Sequence, residues 1–241
     1  MAKTVVRFGL SRLTANHRRK VKEHFELKFW DRIGKDISRK PDAERERALL
    51  QERAHYEYFF TTCFGLSVDD YAGKRILDIG CGPMGSLEWA KDASLRVGLD
   101  PLADRYKKLR LGASAHHMAY VTAPSERLPF ADGLFDFVSS FNSLDHVEDV
   151  AATINEIKRV AACDSHVLLM TEINHPSTLT EPHQLSRDIV KLFEPEFVID
   201  KCEVYGVRAD HNLWAGKVED IPYRDGRLGV LFAKFSRAGG R

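Results

Sequence analysis

The stretch from Lys74 to Ala90, KRILDIGCGPMGSLEWA, decides the fold. It opens on a short apolar run, Ile76-Leu77-Asp78-Ile79, and passes at once into Gly80, Gly82 and Gly85 before an expected helix. Glycines at that spacing let the backbone turn tightly and approach a ligand, and a following helix would offer unpaired N–H donors. The next β-branched run, Val97-Gly98-Leu99, ends on Asp100, twenty residues after Gly80. A carboxylate there is placed to hold two neighbouring hydroxyls of a ribose.

Working outward, residues 75–79, 97–99, 135–138 and 167–170 are continuous rather than alternating apolar runs, as expected of parallel strands covered on both faces. Helical patterns fit between them. The clearest is 149–161, where Val150, Ile154, Ile157 and Val160 fall on one face. Two later runs, 196–205 and 228–235, have no helix between them and predict an antiparallel pair at one sheet edge.

Ahead of this core the sequence predicts two amphipathic helices separated by Pro41-Asp42. One carries Val21, Phe25, Phe29 and Ile33, the other Leu49, Leu50 and the aromatic cluster Tyr56, Tyr58, Phe59, Phe60 and Phe64. Those aromatics read first as packing; placed over the ligand end they would form a water-excluding lid, with Trp30 and Trp214 as pocket walls.

The chain has 241 residues, 44% hydrophobic and 29% charged, which suits one large α/β domain with an extension and excludes a disordered chain. The expected division is a helical extension over 1–70 and a ligand-binding domain over 71–241. Net charge is +1. That average hides an asymmetry: residues 1–40 hold twelve Lys or Arg against four Asp or Glu, a local +8, and the remainder carries −7. Cys63, Cys81, Cys163 and Cys202 lie far apart without a C-x-x-C pair, so the expected compartment is the reducing cytoplasm. No apolar run is long enough to cross a membrane, and the basic, acid-free start MAKTVVRFGLSRL has only a faint transit-peptide look. The tail 237–241 reads as loose.

Asp78 narrows the ligand. A carboxylate two residues before the first glycine gains nothing beside a pyrophosphate, which argues against a nicotinamide dinucleotide, and it does favour a cation. The segment Leu77-Asp78-Ile79-Gly80-Cys81-Gly82-Pro83 closed by Gly85, the acidic end of the second strand, and Ser125-Glu126-Arg127-Leu128-Pro129-Phe130 before Phe135-Asp136-Phe137-Val138 together resemble the class I S-adenosylmethionine-dependent methyltransferases, in particular their small-molecule group. The resemblance covers roughly residues 70–175. It implies a doubly wound, Rossmann-like, mostly parallel seven-stranded sheet with an antiparallel edge hairpin and an N-terminal helical lid, and S-adenosylmethionine as cofactor. By that likeness Asp78 and the loop of Gly80, Cys81, Gly82 and Gly85 lie near the methionine moiety, Asp100 takes the ribose, and Glu126 lies near the adenine amino group. Pro101, Arg127 and Asn142 complete the expected cofactor set.

The expected activity is methyl transfer to a small or saccharide-like acceptor, at oxygen rather than nitrogen. The strand ends supply the candidate base. Asn142-Ser143-Leu144-Asp145-His146 follows the fourth strand and Glu172-Ile173-Asn174-His175-Pro176 the fifth, so His146, His175 and Glu172 are the expected catalytic residues. A divalent metal on His146, Glu172, His175 and His183 is the sharper variant, but the spacing has no metal signature and no metal is expected. His116 and His117, read as strand neighbours, would point to opposite faces. Two rival readings stand beside this one. The first is a nucleic-acid methyltransferase docking through Arg18-Arg19-Lys20 and Lys22, disfavoured by the absence of an N-P-P-Y/F motif; the second is a catalytically silent cofactor-binding scaffold. A homodimer is compatible with the sequence.

Overall fold

The computed structural model describes residues 15–109, 111 and 115–239. The N-terminal stretch 1–14, the side chains of Arg18 and Leu49, and the last two residues of the tail lie outside that description. Among the described residues no helix is long and apolar enough to cross a membrane.

Seven strands form one sheet: β1 (Arg75–Ile79), β2 (Leu95–Leu99), β3 (Ala119–Val121), β4 (Phe135–Phe141), β5 (Ala161–Ile173), β6 (Phe197–Gly206) and β7 (Gly229–Arg237), in the order β3-β2-β1-β4-β5-β7-β6. The first five run parallel, and β7 is antiparallel to both β5 and β6. Chain order therefore reverses between β1 and β4. That crevice, beyond the carboxyl ends of the strands, is where open α/β sheets bind ligands.

Both faces are covered. Ile76 packs with Phe137, Leu168, Met170 and Phe232 under one layer of helices. Leu77 and Ile79, pointing the other way from the same strand, pack with Val138, Phe235 and the buried face of α4 (Val150–Val160). Asp149, at the N-cap of α4, accepts from Ala152 N at 3.0 Å, and Ile154, Ile157 and Val160 bury the predicted stripe.

The two N-terminal helices are present as α1 (Ala15–Ser38) and α2 (Asp42–Phe60), with Pro41 at the start of α2. Phe59 and Phe60, joined by Phe64 in the 3₁₀ turn Thr62–Phe64, are fully buried in the same cluster as β1, β4 and β7. Each such burial is worth about 1.5–3 kcal/mol, against about 0.3–0.5 for an exposed helical ion pair such as Asp31–Lys35. The carboxyl-terminal end of α2 therefore anchors the extension in the sheet's own layer.

The face of α1 differs from expectation. Phe25 and Phe29 are 50% and 45% exposed. Leu27 and Trp30 turn inward instead, against Leu102 and Tyr106, because the helix crosses the body at α3 (Ala103–Tyr106) rather than lying along the sheet. The helix expected after the glycine loop also differs. Residues 83–90 form consecutive turns with Glu88 N bonded to Gly85 O at 3.0 Å and Ala90 N to Leu87 O at 3.2 Å. Gly85 at φ +75° and Pro83, which lacks an N–H, interrupt any i to i−4 ladder.

Candidate functional site

The glycine loop sits at the switch point. Gly80 adopts φ +73°, and a Cβ there would lie 2.3 Å from Ser143 Cβ, so the β1 loop is pressed onto the loop after β4. A glycine is required on both counts. Gly80→Ala should lower stability by about 2–4 kcal/mol, from overpacking plus left-handed strain, read as a lower denaturant midpoint at unchanged slope.

Two buried carboxylates flank this loop. Asp78, 3% exposed, accepts from Ser139 Oγ at 2.7 Å and from Ser86 Oγ. Asp100, 7% exposed, accepts from Leu102 N at 2.8 Å and Gly82 N at 3.4 Å. Burial pushes both carboxyls up to about 6, against the opposing pull of their hydrogen-bond donors, and Asp100 adds to the rise at Asp78. Burial likewise holds the Cys81 thiol well above its ordinary value. Tyr56 of α2 approaches Asp78, and Glu26 of α1 approaches Asp100.

α1 closes over the loop. The Trp30 ring lies 3.1 Å from where a Gly82 side chain would begin, its indole N–H donates to Glu26 at 2.8 Å, and its ring meets Tyr106 edge-on at 6.5 Å. Lys22 ties the same helix to the loop after β4, donating to the His146 carbonyl and to Glu148 Oε1 at 2.7 Å. Arg105 meets Glu23 at 3.6 Å. Trp30 is thus beside the loop as expected. Trp214 belongs instead to the aromatic packing of Phe59, 4.3 Å away, and His55.

The adenine-side expectations fare differently. Glu126 Oε1 accepts from Glu148 N at 2.7 Å and Asp149 N at 3.2 Å, bracing the entry to α4 with one of its two carboxylate oxygens. Arg127 is exposed and lines a cleft with Phe130, Glu156 and Arg159, towards the end of α4 remote from the glycine loop. Pro101 is exposed in the turn after Asp100. Asn142, directly after β4, takes φ +50°, and its side-chain oxygen is buried without a hydrogen-bond partner. A left-handed asparagine with a buried, orphaned oxygen is a costly arrangement.

Beyond Asn142 lies a second polar cluster at the ends of β4 and β5. Asp145 is buried, its two oxygens have no hydrogen-bond partner, and His146 Nε2 lies 3.9 Å from Oδ1. Burial raises the Asp145 carboxyl, opposed by His146 and His175 and reinforced by Glu181. His175 Nδ1 is 3.9 Å from Glu181 Oε2, and Glu172 Oε1 is 3.0 Å from His211 Nε2. His146, His175 and Glu172 therefore do come to one edge of the sheet. His183 leaves the expected set: its Nε2 bonds the Val147 carbonyl at 2.9 Å.

Sequence reasoning missed two participants. His211 lies 36 residues beyond His175 in a loop with no local pattern. Glu88 is buried behind the glycine loop, accepting from His117 N at 2.9 Å and Met118 N at 2.8 Å. His116 and His117 precede β3 rather than lying on a strand; His116 Nδ1 meets Tyr120 Oη at 2.7 Å and His117 Nδ1 meets Glu88 at 3.3 Å.

A family model described as a methyltransferase domain matches residues 77–169. The ubiquinone biosynthesis O-methyltransferase of Sodalis glossinidius is 32% identical over 185 residues, covering 68% of this chain and 73% of that protein. Tocopherol O-methyltransferase of Arabidopsis thaliana is 33% identical over 104 residues, 41% of this chain and 30% of its own length. Ajmaline N-methyltransferase of Rauvolfia serpentina is 26% identical over 127 residues, 49% of this chain and 44% of its own. The match thus spans less than half the length of the latter two relatives. Among solved structures, an S-adenosylmethionine dependent methyltransferase from Mesorhizobium loti aligns with TM-score 0.53 at 20% identity over 69% of this chain and 92% of that one, a likeness of fold.

Proposed function

We propose that this chain, a member of the class I S-adenosylmethionine-dependent methyltransferase family, moves a methyl group to an oxygen of a small or saccharide-like acceptor. The observation that carries the reading is the pair of buried carboxylates, Asp78 and Asp100, on either side of a left-handed glycine loop at the switch point. Neither carboxylate has a cation among its hydrogen-bond donors, and a sulfonium or ammonium beside them would offset the cost of burying that charge. The residues present fit the cofactor.

The proposed roles join this geometry to the family resemblance. Asp100 takes the ribose hydroxyls; Asp78 and the glycine loop, residues 80–85, face the amino-acid end; Asn142 turns its orphaned oxygen to the same ligand. S-adenosylmethionine, when bound, supplies a methyl carbon already activated for in-line displacement. This chain's part is to hold the acceptor oxygen in line and receive its proton. His146 is the base. Asp145, buried beside it, faces the imidazole with Oδ1 3.9 Å from Nε2. Trp30 and Tyr56 exclude water from the loop side.

The pH dependence has a definite sign. Both carboxyls are raised in the folded chain, so the ligand-free fold binds more protons than the unfolded chain between about pH 4 and 6 and loses stability as pH rises through that window. Affinity for the cationic cofactor runs the other way. Its dissociation constant should fall several-fold between pH 5 and pH 7 and then level off, as calorimetry would register; a constant that tightens towards acid would contradict the assignment.

Incubating the protein with methyl-labelled S-adenosylmethionine and a metabolite or glycan extract tests the whole reading. Label is expected in a low-molecular-mass hydroxyl compound, and S-adenosylhomocysteine, not NAD, is expected to raise the melting temperature. Tight cofactor binding with no label in any fraction would identify a silent binder instead. The basic-arm alternative loses ground because Arg19 pairs with Glu23 at 3.8 Å and Lys22 is committed to the loop of His146.

A further inference from the structure

We infer that Glu172, His175 and His211 form a binding site for a divalent transition-metal ion at the acceptor end of the cleft. Each offers one ligand atom, and these three atoms lie within 4.8 Å of one another. Glu172 is the buried penultimate residue of β5, His175 follows after the left-handed Asn174, and His211 arrives from the loop between β6 and α5 (Leu213–Val218). His211 Nε2 and Glu172 Oε1 are already 3.0 Å apart, near the edge of a zinc tetrahedron, about 3.3 Å for bonds of about 2 Å.

A hydrogen-bonded ion pair would account for two of these groups but not for their neighbours. His175 Nδ1 is buried with no hydrogen-bond partner, 3.9 Å from Glu181, and the buried Asp145 next to it has neither oxygen hydrogen-bonded. The cluster therefore gathers three carboxylates around imidazoles, one nitrogen of which has its lone pair or proton unused. A dication compensates such a cluster.

The donor set selects the metal class. Two imidazoles and one carboxylate suit zinc, cobalt or ferrous iron better than magnesium, which prefers oxygen ligands and keeps its waters. Three protein ligands leave at least one coordination position for an exogenous oxygen. His211 is held ready for this: it takes φ +63° between Asp210, which pairs with Arg208 at 2.7 Å, and Asn212, which caps α5 at Ala215 N. An acceptor with two neighbouring oxygens would chelate the ion and present one of them for methylation. That use of the site rests on the methyl-transfer reading above, whereas the metal site stands on the three side chains.

The test titrates the full chain, stripped with chelator, with zinc alone by calorimetry, and repeats it with cobalt to read the visible ligand-field spectrum. One ion per chain is expected, bound more than about tenfold more weakly in His211→Ala and in Glu172→Gln. The change in His211→Ala should leave the thermal shift with S-adenosylhomocysteine as in the wild type, since the substitution lies in an exposed loop. No zinc uptake, or uptake equally tight in both variants, overturns the site. No zinc uptake by protein that binds S-adenosylhomocysteine and transfers label would remove the metal site and keep the methyltransferase; zinc uptake lost in His211→Ala with no label transfer by the wild type would do the reverse.

Discussion

Replacing His146 with alanine is expected to lower kcat by about a hundredfold to ten-thousandfold while leaving the dissociation constant for S-adenosylhomocysteine unchanged. The split follows from where the residue stands. Its side chain lies 3.9 Å from Asp145, whereas Asp100 is bonded to Gly82 N and Leu102 N. A base acts only as the acceptor loses its proton, so its removal strikes the chemical step and spares cofactor binding. Asp145→Asn gives the control: it removes the charge 3.9 Å from His146 Nε2 but keeps the imidazole, and should lower kcat by less than His146→Ala does. Equal loss of kcat and cofactor affinity in His146→Ala would mean that the residue is structural.

Asp100→Ala is expected to do the opposite. Each charge-assisted hydrogen bond to a ribose hydroxyl is worth about 1.5–3 kcal/mol, so cofactor affinity should fall at least about tenfold with kcat at saturation much less affected. The native carboxylate also braces Leu102 N and Gly82 N, so Asp100→Asn serves as the second variant. It loses the charge and keeps an oxygen for one of the two amides, Leu102 N, while an NH2 takes the place of the oxygen that accepts from Gly82 N. An unchanged dissociation constant in both, by calorimetry, would remove Asp100 from the cofactor site.

What the sequence made legible was the part governed by local rules. A strand followed by glycines, an Asp cap with apolar residues every three or four positions, and two β runs without a helix between them each imply one geometry, and β1, α4 and the pair β6 and β7 follow it. The rest depends on partners distant in the chain. Phe25 and Phe29 have the spacing of a buried stripe, yet α1 turns Leu27 and Trp30 inward because Tyr106 and Leu102 await them. The turns at 83–90 replace a helix because Ser86 spends its hydroxyl on Asp78 and Glu88 reaches across to the backbone before β3. Glu126 spends one oxygen on the amides that lead into α4, a use its own segment does not announce. His211 carries no signal in its own neighbourhood. Only the pairing of β6 with β7 and of β7 with β5 brings its loop to Glu172.

The insertion of β7 between β5 and β6 also dictates an order of events during synthesis. A chain that emerges amino-terminus first completes β5 some 56 residues before β7 begins, and completes β6 before it as well. Until β7 arrives, the edge of β5 from Val167 to Ile173 that it will cover has no strand beside it, and β6 lacks its partner strand. Nascent chains stalled short of residue 229 would therefore offer an unprotected β edge to one another, and a chaperone that shields that edge would matter most in this interval.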